Sequence, residues 1–228
     1  MLRPTGENPR VPSLLYLHGL ASSPKGRKWA LLEERFGPEG IRVVAPDLNV
    51  PWFRELSFDE MVEEATEACA ETNPEVIVGS SLGALVALAL AAPSGPGGPP
   101  LVLIAPALGF GARWAEKLPE TDFLEVFHHG EERFLEIHRG FFEEMAGVTV
   151  DDGPPPVPVS LVMGTADESV PFAQVEERWK EWEASGQLAA GSRFHRVEGG
   201  DHSLLLYGDV LEAAVRERLA QDLFPTVA

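Results

Sequence analysis

The segment Val78-Gly79-Ser80-Ser81-Leu82-Gly83 joins a short apolar run to a helix-like one. It contains Gly-x-Ser-x-Gly with Ser81 at its centre. A serine held on a tight strand-to-helix turn projects its hydroxyl clear of the backbone and can attack an acyl carbon. Gly79 and Gly83 remove side chains that would collide across such a turn. The N–H of Leu82, at the helix start, can donate to the oxyanion that forms on attack. The pattern alone is weak, since this composition yields it by chance in roughly one such sequence in ten. Its place after a buried run and before a helix is what sharpens it. Ser80 does not fit the centre, because Val78 and Leu82 would then stand at the glycine positions. Its expected role is to hold the turn.

A serine hydroxyl needs a base to take its proton. Of the six histidines, His202 stands in the turn Glu198-Gly199-Gly200-Asp201-His202, after an apolar-rich run. It is the expected general base. The base needs a carboxylate to hold its tautomer and stabilise the imidazolium. Asp167 follows another apolar run, in Gly164-Thr165-Ala166-Asp167-Glu168-Ser169-Val170-Pro171, and is the expected acid. Glu168 is its rival, and Asp201 reads as a turn or cap residue. A second oxyanion donor is expected from Leu20, in Tyr16-Leu17-His18-Gly19-Leu20-Ala21-Ser22-Ser23-Pro24. There Gly19 lets backbone approach substrate, and His18 is expected to shape the loop. His128, His129 and His138, with Glu131 and Glu132 nearby, match no helical zinc motif, so no metal site is expected.

These residues must be carried by elements. Short apolar runs alternate with helix-like segments. Strands are expected over Leu14–Leu17, Ile41–Ala45, Glu75–Val78, Leu101–Ile104, Pro158–Met163 and Arg193–Val197. Helices are expected from a Ser23-Pro24 start to about Phe36, from Ser57 to about Thr72, over Leu82–Ala91, over Val170–Ala184, and over Ser203–Gln221. Ser57 with Glu60 three residues on is a capping box. Continuous apolar strands between helices argue for a parallel sheet covered on both faces. Residues 107–152 break the alternation. They show no strand pattern and read as two or three helices, with Phe134, Ile137, Phe141 and Phe142 on one face. These are either extra helices packed on the core or a helical lid after the fourth strand, the lid favoured by its position between two strands. The proline-rich run Pro154–Pro158 then returns the chain to the sheet.

The His-Gly-Leu-Ala-Ser-Ser-Pro loop, the Gly-Ser-Ser-Leu-Gly turn, the Gly-x-x-Asp-x-x-Val-Pro segment and the Gly-Asp-His turn together resemble the α/β-hydrolase superfamily. Within it, the loop and the doubled serine are similar to the YqiA-like bacterial esterases. The resemblance runs from about Leu14 to the last helix. It implies one α/β-hydrolase domain over 1–228, with about six mainly parallel strands and the 107–152 insertion. It also implies a Ser81, Asp167, His202 triad, backbone oxyanion donors, no cofactor, and hydrolysis of small or acyl esters and thioesters. The insertion is longer than compact members need, and Ala84 stands where many carry a second glycine.

Composition sets outer limits. The chain has 228 residues, 44% hydrophobic, and a net charge of −18. Such a charge repels nucleic acid and anionic membrane surfaces. The single cysteine, Cys69, excludes an internal disulfide and reads as a structural thiol. No secretory leader and no bilayer-length apolar run is expected, which suggests a cytoplasmic protein. The expected partner is a small-molecule ester or thioester. Trp52, Phe53, Phe110, Trp114, Phe123 and Phe127 could line an acyl pocket, and His18 and Gly19 are further substrate-binding candidates. Lys25, Arg27 and Lys28 form a small basic group beside the oxyanion loop. Peptidase or C–C bond hydrolase chemistry on the same triad stays open, as does a binding protein that has lost catalysis.

Overall fold

The computed structural model describes residues 11–115, 118 and 120–219. Six strands form one sheet: β1 (Ser13–Leu17), β2 (Arg42–Val44), β3 (Val76–Ser80), β4 (Leu101–Ile104), β7 (Val159–Gly164) and β8 (Arg193–Val197). Two more, β5 (Phe123–His128) and β6 (Arg133–His138), pair separately. The main sheet is parallel throughout, in the order β2-β1-β3-β4-β7-β8. All six expected strands are present within a residue or two. The cause is visible in their burial. Every residue of β1, β3, β4 and β7 is buried, so both faces of the central sheet are covered, and strand alternation gives a continuous apolar run.

Parallel strands put all their carboxyl ends at one edge. The register aligns those ends, pairing Leu17 with Gly79, Ser80 with Ile104 and Gly164 with Val197. The loops after β1, β3, β7 and β8 therefore open on the same side. From β1 the chain steps to β2 in one direction and later to β3 in the other, so the loops after β1 and β3 flank a switch point where such sheets hold ligands.

Among the described residues seven α-helices lie between or after the strands: α1 (Arg27–Phe36), α2 (Phe58–Thr72), α3 (Leu82–Ser94), α4 (Phe110–Ala115), α5 (Arg139–Met145), α6 (Phe172–Ala184) and α7 (Gly208–Arg216). Ser57 Oγ accepts the Glu60 N–H at 3.4 Å, which is half of the expected capping box; the Ser57 N–H donates to the Val50 carbonyl at 3.1 Å and not to the Glu60 side chain. Three helix starts differ from expectation for local reasons. Ser23-Pro24 does not cap α1: Gly26 N–H donates to the Ser23 carbonyl, making a turn, and Gly26 is the N-cap. Helix α6 begins two residues late because the Ser169 and Val170 N–H groups are already committed to Asp167 Oδ1, both at 2.8 Å. Helix α7 begins five residues late. Leu204 has φ +53°, and its N–H is held by Asp201 Oδ1 at 2.8 Å, so the chain makes a 3-10 turn before the helix. Helix α7 also ends earlier than the expected Gln221, at Arg216, with residues 217–219 in a turn; residues 220–221 lie outside the described residues.

The 107–152 insertion corrects the helical reading. It carries the short helices α4 and α5, but between them stands the antiparallel β5–β6 hairpin. Phe134 and Ile137 are not on a helical face. They lie on opposite faces of β6, Phe134 66% exposed and Ile137 fully buried. The signal was two alternating, β-prone runs separated by a turn containing Gly130. The aromatic residues masked it, because at short range they also fit a helical stripe. Helix α5 is not a loose flap. Phe141, Phe142 and Met145 are buried, and Glu144 accepts from Ser57 Oγ at 3.2 Å and Asp59 N–H at 3.0 Å, tying α5 to the start of α2. The hairpin tip touches the loop after β1, where His129 N–H donates to the Ala21 carbonyl at 2.8 Å. No helix among the described residues is long and apolar enough to cross a membrane.

Candidate active site

Ser81 caps the junction of β3 and α3 with φ +53° and ψ −116°, a strained conformation for a residue with a side chain. The surrounding glycines make it possible. A Cβ on Gly79 would lie 2.5 Å from the Gly83 carbonyl oxygen and 2.6 Å from Ala84 Cα. One on Gly83 would collide with the Leu17 carbonyl oxygen and lie 2.5 Å from that of His18. The turn is thus packed backbone against backbone, with α3 pressed onto the end of β1. Ser81 N–H is anchored on the Ile104 carbonyl at 2.9 Å. Leu82 opens α3, so its N–H belongs to the unsatisfied first turn of that helix.

The loop after β1 runs directly over this turn. A Cβ on Gly19 would stand 3.1 Å from Ser81 Cβ and 3.7 Å from Ser81 Oγ. His18, 2% exposed, holds the loop from beneath. Its Nε2 accepts the Leu48 N–H at 3.0 Å, which leaves Nδ1 to donate to the Gly19 carbonyl at 3.0 Å. Both ring nitrogens are therefore engaged with backbone, and the ring braces the loop that carries Leu20.

The turns that carry Asp167 and His202 are joined by the same kind of close approach. A Cβ on Gly164 would collide with the Gly200 carbonyl oxygen, so the ends of β7 and β8 run in contact. Thr165 N–H donates to the Val197 carbonyl and Ala166 N–H to the Gly200 carbonyl, each at 2.9 Å. Gly199 N–H donates to Thr165 Oγ1 at 2.9 Å. This brings His202 Nδ1 within 2.8 Å of Asp167 Oδ2, while His202 Nε2 stands 3.1 Å from Ser81 Oγ. The Asp167 side chain is fully buried and that of His202 is 23% exposed. Asp167 Oδ1 takes two backbone N–H bonds, so the carboxylate is fixed at both oxygens. Glu168, the rival acid, instead accepts the His202 backbone N–H at 3.3 Å. Asp201 caps its own turn through Ser203 Oγ and Leu204 N–H.

Arg113 is a member of this neighbourhood that the sequence reading missed. It donates to Gln174 Oε1 at 2.9 Å and to the Leu108 carbonyl at 2.5 Å. Burial pushes its guanidinium below the ordinary range, against the pull of the Asp151 and Asp167 carboxylates. It therefore places a positive charge near the buried acid from the insertion side. No local pattern marks it, because it reaches the site through tertiary packing alone.

The acyl-pocket candidates divide. Phe110 is 7% exposed and sits in an aromatic cluster, 5.9 Å from Trp114 and 6.5 Å from Phe142 between ring centres. Trp52 is 61% exposed. Phe127 is 41% exposed and packs edge-on against Phe134 and His129, whose backbone touches the loop after β1. Phe53 meets the His128 ring edge-on, and Phe123 lies under the Arg54 guanidinium. His128 and His138 each accept a backbone N–H at Nδ1, from Glu131 and Gly140.

Comparison with known proteins rests on this geometry. Residues 13–199 match the uncharacterised protein family UPF0227. The chain belongs to that family. Among solved structures it is similar to a provisionally assigned hydrolase of Agrobacterium vitis S4, with TM-score 0.73 and 24% identity, over 92% of this chain and 88% of that one. It is similar to Est1E from Butyrivibrio proteoclasticus, with TM-score 0.70 and 18% identity, over 92% and 90%. It is also similar to a monoacylglycerol lipase of Paleococcus ferrophilus, with TM-score 0.66 and 20% identity, over 92% and 94%. Among curated proteins none matches. At these identities the likeness establishes the α/β-hydrolase fold, as the sequence reading expects.

Proposed function

We propose that this UPF0227 member is a serine hydrolase that cleaves small or acyl carboxylic esters or thioesters. The observation that carries the reading is the relay from Asp167 through His202 to Ser81, with spacings of 2.8 and 3.1 Å. Esterase and lipase names among the fold relatives favour ester substrates over amides.

In this mechanism Ser81 Oγ attacks the acyl carbon as His202 Nε2 takes its proton. Asp167 holds Nδ1–H and stabilises the imidazolium. The Leu20 and Leu82 N–H groups bind the oxyanion. His202 then gives its proton to the leaving oxygen or sulfur, leaving an acyl group on Ser81. A water activated by His202 releases the acid and restores the serine. The residues on hand supply each step without a cofactor.

The test is labelling of the protein with a fluorophosphonate, with turnover of p-nitrophenyl acetate. Wild-type protein is expected to label at Ser81, and Ser81→Ala to lose both label and turnover. His202→Ala is expected to lower kcat by about a thousandfold or more. Wild-type protein that resists labelling would return the reading to a binding protein of this fold.

A further inference from the structure

The first turn of α1 carries charge that this mechanism does not use. Lys25, Arg27 and Lys28 gather there in a chain of net charge −18. Helical periodicity puts Lys28, Leu31 and Arg35 on one face of α1. Arg35 on that face pairs with Asp209 and Glu212 of α7, each at 3.1 Å. Leu31 lies against the start of α7, since a Cβ on Gly208 would stand 3.1 Å from Leu31 Cδ1. One turn earlier, the same face continues toward the segment that precedes α7, where the Asp201–His202–Ser203 turn runs into the 3-10 turn Leu205–Tyr207.

The electrostatics agree with that placement. Lys28 feels the carboxylates of Asp201 and Asp167, the two acids that flank the His202 turn. Yet among the described residues none accepts an ion pair from Lys28 within 4.0 Å. The acids nearby are already occupied. Asp201 is taken by Ser203 and Leu204, and Asp167 by His202, Ser169 and Val170. The Lys28 ammonium thus lies within electrostatic reach of the acids on either side of His202, and no hydrogen bond or ion pair among the described residues takes it up.

We propose that Lys28 is a specificity-determining residue, whose ammonium forms a cationic subsite for a carboxylate or phosphate on the alcohol or thiol half of an acyl substrate. The inference rests on the serine-hydrolase reading above. The leaving half is specified by the chemistry. His202 must hand its proton to the departing oxygen or sulfur, so that half of the substrate lies on the His202 side of Ser81. Burial pushes the Lys28 ammonium down to about 8, with Asp201 and Asp167 pulling it up and Arg27 pushing it down. A bound anion would supply the counter-charge that the fold leaves out. The same charge rejects cationic leaving groups.

The test follows butyrate release from three butyryl esters whose leaving phenols differ in charge: 3-(butyryloxy)benzoate, its methyl ester, and 3-(butyryloxy)phenyl phosphate. In wild-type protein kcat/KM should favour one or both anionic members over the methyl ester. Preference for the carboxylate or for the phosphate identifies which anion fits. Lys28→Met should lower kcat/KM on the favoured anion by at least tenfold more than on the methyl ester, through KM. Lys28→Arg should restore most of the preference. The anionic-to-neutral ratio should fall as pH rises through about 8, because the ammonium loses its proton there. A pH effect on the chemical step that all three esters share cancels in that ratio. Equal losses on charged and neutral esters in Lys28→Met, or a wild-type enzyme without anionic preference, would overturn the Lys28 assignment while Ser81 labelling and methyl-ester turnover persist. Loss of labelling and of all ester turnover in wild-type protein would instead take down the hydrolase reading, and Lys28 with it.

Discussion

Gly83→Ala sets two effects of opposite sign against each other. Gly83 is the second residue of α3, and alanine in a helix is favoured over glycine by up to about 1 kcal/mol. On propensity alone the variant should be more stable. The collision outweighs it. The new Cβ would overlap the Leu17 carbonyl oxygen and lie 2.6 Å from the Leu17 carbonyl carbon and 2.5 Å from the His18 oxygen. These are backbone atoms of a central, fully buried strand, and no side-chain rotation relieves them. Overpacking that side chains can relax costs about 1–3 kcal/mol, and this case sits at or above the top of that range. The expected net loss is about 2 kcal/mol or more, which lowers Tm by about 4–8 °C for a chain of this size. Relief must come from moving Leu17 and His18, which carry Gly19 and Leu20. Fluorophosphonate labelling of Ser81 should therefore slow even at temperatures where the variant is folded. Thermal unfolding by circular dichroism and labelling rate at 20–25 °C measure the two outcomes. Gly153→Ala is the control, with nothing within 4 Å of its Cβ, and should stay within about 0.5 kcal/mol of wild type. A Gly83→Ala protein as stable as wild type, labelling at the wild-type rate, would refute the close packing of the turn.

Three further outcomes follow from single contacts. Asp167→Asn should lower kcat by about 10⁴, since the amide can present the wrong partner to His202 Nδ1, whereas Glu168→Gln should lower it by less than about tenfold. Reversal of that order in ester turnover would make Glu168 the acid. Ser57→Ala removes the acceptor for Glu60 N–H and the donor to Glu144, and should cost about 1 kcal/mol, read as a Tm lowered by about 2–4 °C. Burial raises the Cys69 thiol, so little thiolate is present at pH 7, and a disulfide reagent should modify it more slowly than it modifies a free cysteine peptide. Reaction at the peptide's rate would show an open, activated thiol.

How much of this was legible in the sequence depended on whether local chemistry fixed a local spacing. The strands were legible because burial on both faces of a parallel sheet leaves a short continuous apolar run. The Ser57–Glu60 cap was legible because its two partners are three residues apart. Ser81, Asp167 and His202 could be singled out because each follows a strand end with small residues around it. The structure shows the cause in Gly83 against Leu17 and in Gly164 against Gly200, where no side chain fits. The starts of α6 and α7 were misplaced for the converse reason. There the Asp167 and Asp201 side chains take N–H groups from the chain just ahead of each helix, and that competition is invisible until the turn geometry is known.

The hairpin in the insertion marks where local reading fails most instructively. Phe134, Ile137, Phe141 and Phe142 fit a helical stripe by spacing, yet the first two lie on a strand and only the last two on α5. A period of two and a period near four agree at an interval of four residues, so a few aromatics cannot separate them. Glu125 and Glu136, which face each other across the hairpin, are the more telling residues. They alternate with Leu124, Val126, Leu135 and Ile137, and that alternation is a strand's. The distinction bears on substrate choice. A helical lid would offer one apolar face to an acyl chain. The hairpin instead holds Ile137 in the core and Phe127 and Phe134 at the surface, with its tip bonded to Ala21 in the loop after β1. Movement of that tip would pull on the loop that carries Leu20, so the hairpin tip and the loop with the expected oxyanion donor are mechanically coupled.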